Sequence, residues 1–199
     1  MKKAAKHITI RTITTTAMLA AIAYLLAFLE FPVPLSPAFA RMDFSDFPAL
    51  IGSFAFGPLA GILIELIKNG LQLFTTSTGG VGELANFLIG ASFVAWAGTL
   101  YRIRRTKQMA WIASLTGCVI MGIVAALANY FIMLPMFEAF MPLDQVIAAF
   151  EEFMPFIRTK LDVVLFNAFP FNLLKGLVIS VVTMLVYKRI RPILKGVEL

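Results

Sequence analysis

Apolar residues run together in this chain instead of recurring once per helical turn, forming long segments at 13–30, 47–67, 84–101, 109–135 and 161–187. Segments of this length read as helices able to cross a hydrocarbon core, which takes roughly 20 residues. The first run exceeds the about 7–15 residues of a secretion-signal core, so it is kept as a helix although Ala38-Phe39-Ala40 imitates a cleavage site. Gly57-Pro58 interrupts the second run. Proline lacks an amide N–H and disfavours helical backbone in the residue before it, so this segment is expected to fold back as two helices. The pattern therefore predicts an all-α integral membrane protein, a single membrane domain over 1–199, with six helices at about 13–30, 46–56, 58–74, 83–101, 109–135 and 161–188. The second helix is too short to cross alone and should be shielded by protein. Ile147, Phe150, Phe153 or Met154, and Ile157 recur at helical spacing, predicting a helix at 143–157 on the outer surface.

Composition removes the soluble alternative. Apolar residues make up 60% of the chain and charged ones 14%, against roughly 45–50% and 25% in soluble domains. The net charge of +6 comes from three clusters: Lys2, Lys3, Lys6 and Arg11; Arg102, Arg104, Arg105 and Lys107; Lys188, Arg189, Arg191 and Lys195. Basic residues concentrate in cytoplasmic loops. With five crossings the second and third clusters fall outside; with the fold-back at Gly57-Pro58 all three fall inside. Both termini are then cytoplasmic in a multi-pass protein of the cell membrane. The clusters lack the aromatic interleaving of a nucleic-acid surface, which leaves the lipid bilayer, protein and a small solute as partners. Trp111, Tyr101 and Tyr187 fall at cytoplasmic helix ends, where they are expected to anchor at the lipid interface.

Polar groups inside spans need a reason, because an ionisable one costs on the order of 2.5–3.5 kcal/mol at mid-bilayer. Here Glu65, Lys68, Asn69, Gln72, Glu83, Asn86, Asn129, Asn172 and Lys175 converge on the outer half. They are expected to face a cavity open to the outside, with Pro170 starting the embedded part of the last helix. Local pairing of Glu65 with Lys68, and asparagines that hold helices together, would explain them as well. Lys175 requires a carboxylate or a ligand carbonyl as acceptor. Ser45 or Asp46 suits the cap of the second helix. The run TTSTGGVG at 75–82 is read as a loop closing the site, with backbone N–H groups available to a ligand. The single histidine, His7, lies in the basic tail, and neither a metal-ligand motif nor a nucleophile with a base partner is present. An enzyme, a metal site and a resident cofactor are therefore not expected. No phosphate-binding loop appears, so ATP-driven work would need another chain. The lone Cys118 lies within an apolar run and supplies no thiol cluster. Ala17 and Ala21, and Ala23 and Ala27, are small pairs that let a partner helix approach.

Four stretches, DFSDFPALIGSFAFGPLAGILIELIKN (43–69), GGVGELANFLIG (79–90), NYFIMLP (129–135) and PFNLLKG (170–176), closely resemble the riboflavin-specific substrate-binding subunits of energy-coupling factor (ECF) transporters. The resemblance covers nearly the whole chain; 136–160 is without a distinctive match. It implies high-affinity riboflavin capture from outside, a transmembrane coupling subunit and two cytoplasmic ATPases as partners, and riboflavin as cargo with no resident cofactor. It also implies that Asn129 and Lys175 contact the polar edge of the flavin ring and that Asn172 touches ring or ribityl chain. Glu83 and Asn86 are placed in the same ligand-binding set, with Ala40, Arg41 and Met42 of the first outer loop packing over the ligand. The alanines of the first helix resemble the surface presented to the coupling subunit. The residue types alone also suit another vitamin such as thiamine in the same architecture, and an autonomous secondary carrier stays open.

Overall fold

The computed structural model describes residues 9–32, 41–76, 78–139 and 142–195, and these fold into a helical bundle. Its elements are α1 (Ile10–Ala27), a two-residue antiparallel pair β1 (Phe31–Pro32) and β2 (Arg41–Met42), α2 (Asp46–Phe56), α3 (Pro58–Gln72) with a closing 3-10 turn Leu73–Thr75, α4 (Val81–Ile103), α5 (Lys107–Glu138) and α6 (Leu143–Glu151). The last helix, α7, starts as Lys160–Val163 and continues as Phe169–Lys195. Four of these helices, α1, α4, α5 and α7, are long and apolar enough to cross a membrane.

The break between α2 and α3 has a local cause. Gly57 sits at φ 112°, a backbone conformation that favours glycine, and Pro58 follows at the start of α3, where its missing N–H costs nothing. The Arg102 side chain, at the end of α4, lies against this turn. At the same end Phe54, Tyr101 and Tyr187 form a ring cluster with centroids 4.7, 5.8 and 6.5 Å apart. Tyr101 and Tyr187 are thus buried in the bundle instead of facing a lipid interface, because α2, α4 and α7 pack together there.

With 11 residues, α2 is about 16 Å long at 1.5 Å per residue. It packs against α1, α3, α4 and α7, and Asp46 and Pro48 through Phe54 are all buried. Ser53 ties it to α4 by donating to the Val94 carbonyl at 2.6 Å. Leucine, isoleucine and phenylalanine side chains cover the outer faces, among them Leu25, Leu59, Leu66, Leu127 and Leu185. That is the inside-out polarity a bundle needs in lipid.

Prolines reshape the two longest helices. Pro135 and Pro170 lie inside α5 and α7, where each ring would clash with the carbonyl four residues back. Those carbonyls, on Phe131 and Phe166, fall within π-helical turns at Asn129–Met133 and Val164–Ala168. The wider turns relieve the clash, and they touch each other. Pro170 therefore does not begin its helix, which continues without interruption from Lys160. The helix α6, expected to reach 157, ends at Glu151, because Pro155 disfavours helical backbone at Met154. Its apolar side still docks: Val146 and Phe150, with Ile157 beyond, pack on Leu134, Val163 and Val164.

Candidate functional site

At the bundle end opposite the aromatic cluster, α2, α3, α4 and α7 bring a set of charges together. Lys68 of α3 is completely buried, at 0% exposure, and donates to Asp46 Oδ1 at 2.7 Å and to Ser45 Oγ at 2.9 Å. Its ammonium also lies 2.7 Å from Glu65 Oε2, one helical turn back. Lys175 of α7 is buried too, 3.0 Å from the other oxygen of Asp46 and 3.4 Å from Asp43 Oδ2. Asp46 thus stands between the two lysines. Its position in the first turn of α2 adds the partial positive charge of a helix N-terminus. Ser45 N–H donates to Asp43 Oδ1 at 2.7 Å, which fixes the loop carboxylate beside the helical one.

The network continues sideways into α4. Asn69 donates to the Glu65 carbonyl at 2.8 Å and to Glu65 Oε2 at 3.3 Å, and its own Oδ1 accepts from Asn86 at 2.9 Å. Gly90 lets the Glu65 carboxylate approach α4: a Cβ there would meet Oε2 at 2.7 Å. In low dielectric such groups are stable only when matched, and here two ammoniums sit among three carboxylates.

The remaining expected residues divide. Asn172 is buried in the helix that carries Lys175 and donates to the Ala168 carbonyl at 2.9 Å. Asn129 opens the first π-helical turn, is half-buried and donates to the Ala125 carbonyl at 2.9 Å. Met42 is buried just before Asp43. Arg41 pairs through its backbone with Pro32, its side chain lying outside the described residues, as does Ala40. Glu83 serves the loop: its Oε2 accepts from Thr76 Oγ1 at 2.9 Å and Thr78 Oγ1 at 3.0 Å. Those hydroxyls in turn accept from the N–H groups of Thr78, Gly80 and Gly82. Three of the loop's amides are thereby satisfied internally instead of being offered to a ligand. On α1, Ala17 and Ala21 face outward, whereas Ala23 and Ala27, at 0% and 3% exposure, belong to the core. The inward pair can only serve packing within this chain.

Ser45 does not cap α2 with its side chain; its hydroxyl is used by Lys68. Asp43 and Asp46 are the acceptors that Lys175 requires, and sequence reasoning did not connect them to it. The available signal was charge matching: two intramembrane lysines demand nearby carboxylates, and DFSD puts two within one turn of a helix start. A crevice of ≈ 160 Å³ between α3 and α4 is lined by Leu66, Asn69, Leu73, Glu83 and Phe87. It is smaller than the about 300–1,000 Å³ of small-molecule pockets, so the lysine–aspartate cluster, not the crevice, is the candidate site. Among the described residues no three His, Cys, Asp or Glu side chains are grouped to hold a metal ion.

Residues 11–187 match the family described as "ECF transporter, substrate-specific component". The chain is 36% identical over 188 residues to the riboflavin transporter RibU of Staphylococcus aureus (strain TCH60), with 94% of each chain covered. It is 33% identical over 186 residues to the riboflavin transporter FmnP of Bacillus subtilis (strain 168), covering 92% of this chain and 93% of that protein. A solved S component of a bacterial ECF transporter superposes with a TM-score of 0.73 at 35% identity, over 93% of this chain and 98% of the other.

Proposed function

The chain belongs to the substrate-specific components of ECF transporters, and on that premise we propose that it captures riboflavin from the extracellular side with high affinity, as the binding subunit of an ATP-driven vitamin importer. The observation that carries this reading is the end-to-end likeness to relatives named as riboflavin transporters. The chain itself is the binding component and not an enzyme; ATP is hydrolysed by two cytoplasmic partner subunits, coupled through a transmembrane partner. Riboflavin is cargo, and no cofactor takes part.

In this proposal the chain crosses the cell membrane six times, α2 and α3 forming a hairpin, with both termini in the cytoplasm. Arg102 against the Gly57 turn supports that orientation, because it puts the α2–α3 turn at the same end as the basic loop 102–107. The lysine–aspartate cluster then lies toward the outside. The flavin ring presents carbonyl acceptors and one N–H along its polar edge. Lys175 has three N–H donors and two carboxylate partners, Asp46 at 3.0 Å and Asp43 at 3.4 Å, so it keeps a donor to direct at a ring carbonyl. Asn129, with its amino group held by Ala125, offers its carbonyl oxygen to the ring N–H. Asn172, Glu83, Asn86 and the loop residues Ala40, Arg41 and Met42 complete the ligand shell. Ala17 and Ala21 form the surface for the coupling subunit.

The test is purification of the chain alone in detergent, a visible absorbance spectrum, and identification of any chromophore released on denaturation. A stoichiometric flavin spectrum, or quenching of added riboflavin, is expected. Asn129→Ala and Lys175→Ala should each weaken binding about tenfold or more, the scale of a lost hydrogen bond to a charged or buried partner. A colourless protein that leaves riboflavin fluorescence unchanged would overturn the reading, and a vitamin panel including thiamine would then identify the ligand.

A further inference from the structure

We propose that Asp46 is a positioning residue for ligand recognition: it fixes the Lys175 ammonium from behind, and Lys68 fixes Asp46 in turn. The inference rests on the reading of Lys175 as a ligand contact and extends it to residues that reading does not use.

The geometry assigns different jobs to the two aspartates. Asp46 belongs to a helix, is completely buried, and divides its oxygens, Oδ1 to Lys68 at 2.7 Å and Oδ2 to Lys175 at 3.0 Å. Asp43 belongs to the loop before that helix and lies farther from Lys175, at 3.4 Å. A long, flexible lysine side chain has many positions available to its ammonium, and a ligand must immobilise it at an entropic cost. A carboxylate anchored on two sides removes that freedom beforehand. The Asp46–Lys175 contact is a buried ion pair at 3.0 Å. It holds the charge in place with one of the three ammonium donors and leaves others for a ligand. Asp46 itself cannot swing toward Lys175, because Lys68 holds its other oxygen and is held by Glu65 and Ser45. Asp43, the more distant loop partner, is the acceptor that a ligand carbonyl can replace.

The experiment is a double-mutant cycle on ligand affinity with the full chain in detergent, using riboflavin fluorescence quenching as readout. Asp46→Asn keeps the shape and removes the charge. It should weaken riboflavin at least tenfold when Lys175 is present and less than twofold in the Lys175→Met background, because a residue acting through Lys175 has nothing left to position. Equal losses in both backgrounds would mean a general structural role and overturn the proposal, as would a loss under threefold with Lys175 present. A Lys175→Met protein that binds riboflavin as tightly as the parent removes the ligand-contact reading and this inference with it; a loss there, with Asp46→Asn neutral, removes this inference alone. Should Asp46→Asn not insert, infrared difference spectra with carbon-13-labelled aspartate decide the question in an Asp43→Asn protein. Riboflavin should shift a buried carboxylate band there, and adding Lys175→Met should abolish the shift; no shift, or one that survives, overturns the proposal.

Discussion

Replacing Lys68 by methionine tests whether the buried charges act as one matched unit. The side chain keeps its volume and loses an ammonium with three partners, Asp46 and Glu65 at 2.7 Å and Ser45 at 2.9 Å, all completely buried. Removing one member of a buried ion pair costs about 3–5 kcal/mol, because the abandoned charge stays out of water. Here two carboxylates are abandoned, and only Asp46 retains a second cation, Lys175 at 3.0 Å. A surface pair supplies the control: Lys160 and Glu138 are 3.0 Å apart but 24% and 37% exposed, so Lys160→Met should cost about 0.2–1 kcal/mol. Two contacts of nearly equal length should thus differ several-fold in consequence. The assay is reversible unfolding of the ligand-free protein in mixed detergent micelles. Adding Glu65→Gln to Lys68→Met removes one stranded charge, while its amide can still meet Asn69, and should recover part of the loss. Equal destabilisation by Lys68→Met and Lys160→Met, or no recovery in the double variant, would refute the matched-cluster account.

Three further outcomes follow from the geometry. Glu83→Ala removes the common acceptor of the Thr76 and Thr78 hydroxyls, worth about 1 kcal/mol per hydrogen bond; amide exchange at Thr78, Gly80 and Gly82 should quicken several-fold, and unchanged exchange would show that the loop holds itself. Ala23→Leu should destabilise the bundle by about 1–3 kcal/mol through overpacking, whereas Ala17→Leu with Ala21→Leu should leave unfolding within about 0.5 kcal/mol and impair only assembly with the coupling subunit, read by co-purification. Gly57→Ala forces a side chain into φ 112° and should cost about 1–3 kcal/mol; a neutral result in the same unfolding assay would show that the turn relaxes.

Much of the bundle is legible in the sequence because the length of the apolar runs is set by the bilayer. Gly57-Pro58 is enough to divide α2 from α3, since both residues act through local backbone geometry. Interior prolines are also visible, but their effect depends on what surrounds the helix. Pro58 opens a new helix, while Pro135 and Pro170 are absorbed by π-helical turns that brace each other. Tyr101 and Tyr187 resemble interface anchors until α2, α4 and α7 are seen to meet around them, a tertiary fact with no local trace. The same holds for Glu83, whose partners Thr76 and Thr78 are near in sequence although the loop fold that joins them is not readable from spacing. Lys175 announces its need for an acceptor, yet Asp43 lies 132 residues away, and only packing of α2 against α7 selects it.

The shortness of α2 is what brings these charges together. Counting from Gly57, Asp46 lies 57 − 46 = 11 residues before the turn and Lys68 lies 68 − 57 = 11 residues after it. In an antiparallel hairpin equal counts mean equal height, about 16 Å above the turn at 1.5 Å per residue. Lys175 precedes Tyr187, which shares the aromatic end with Phe54, by 187 − 175 = 12 residues, and its ammonium meets Asp46 at 3.0 Å from α7. A helix long enough to cross the roughly 30 Å hydrocarbon core would carry Asp43 and Asp46 up to the interface, leaving Lys175 without a counter-ion and Lys68 with Glu65 alone. Ending α2 halfway instead sinks a loop end and its carboxylates to the depth of Lys68 and Lys175. Irregular backbone at such depth is tolerated only when protein encloses it, which is why α2 is buried from Pro48 through Phe54. The enclosure, the short helix and the buried ion network are therefore one arrangement, and lengthening α2 by a single turn should undo all three.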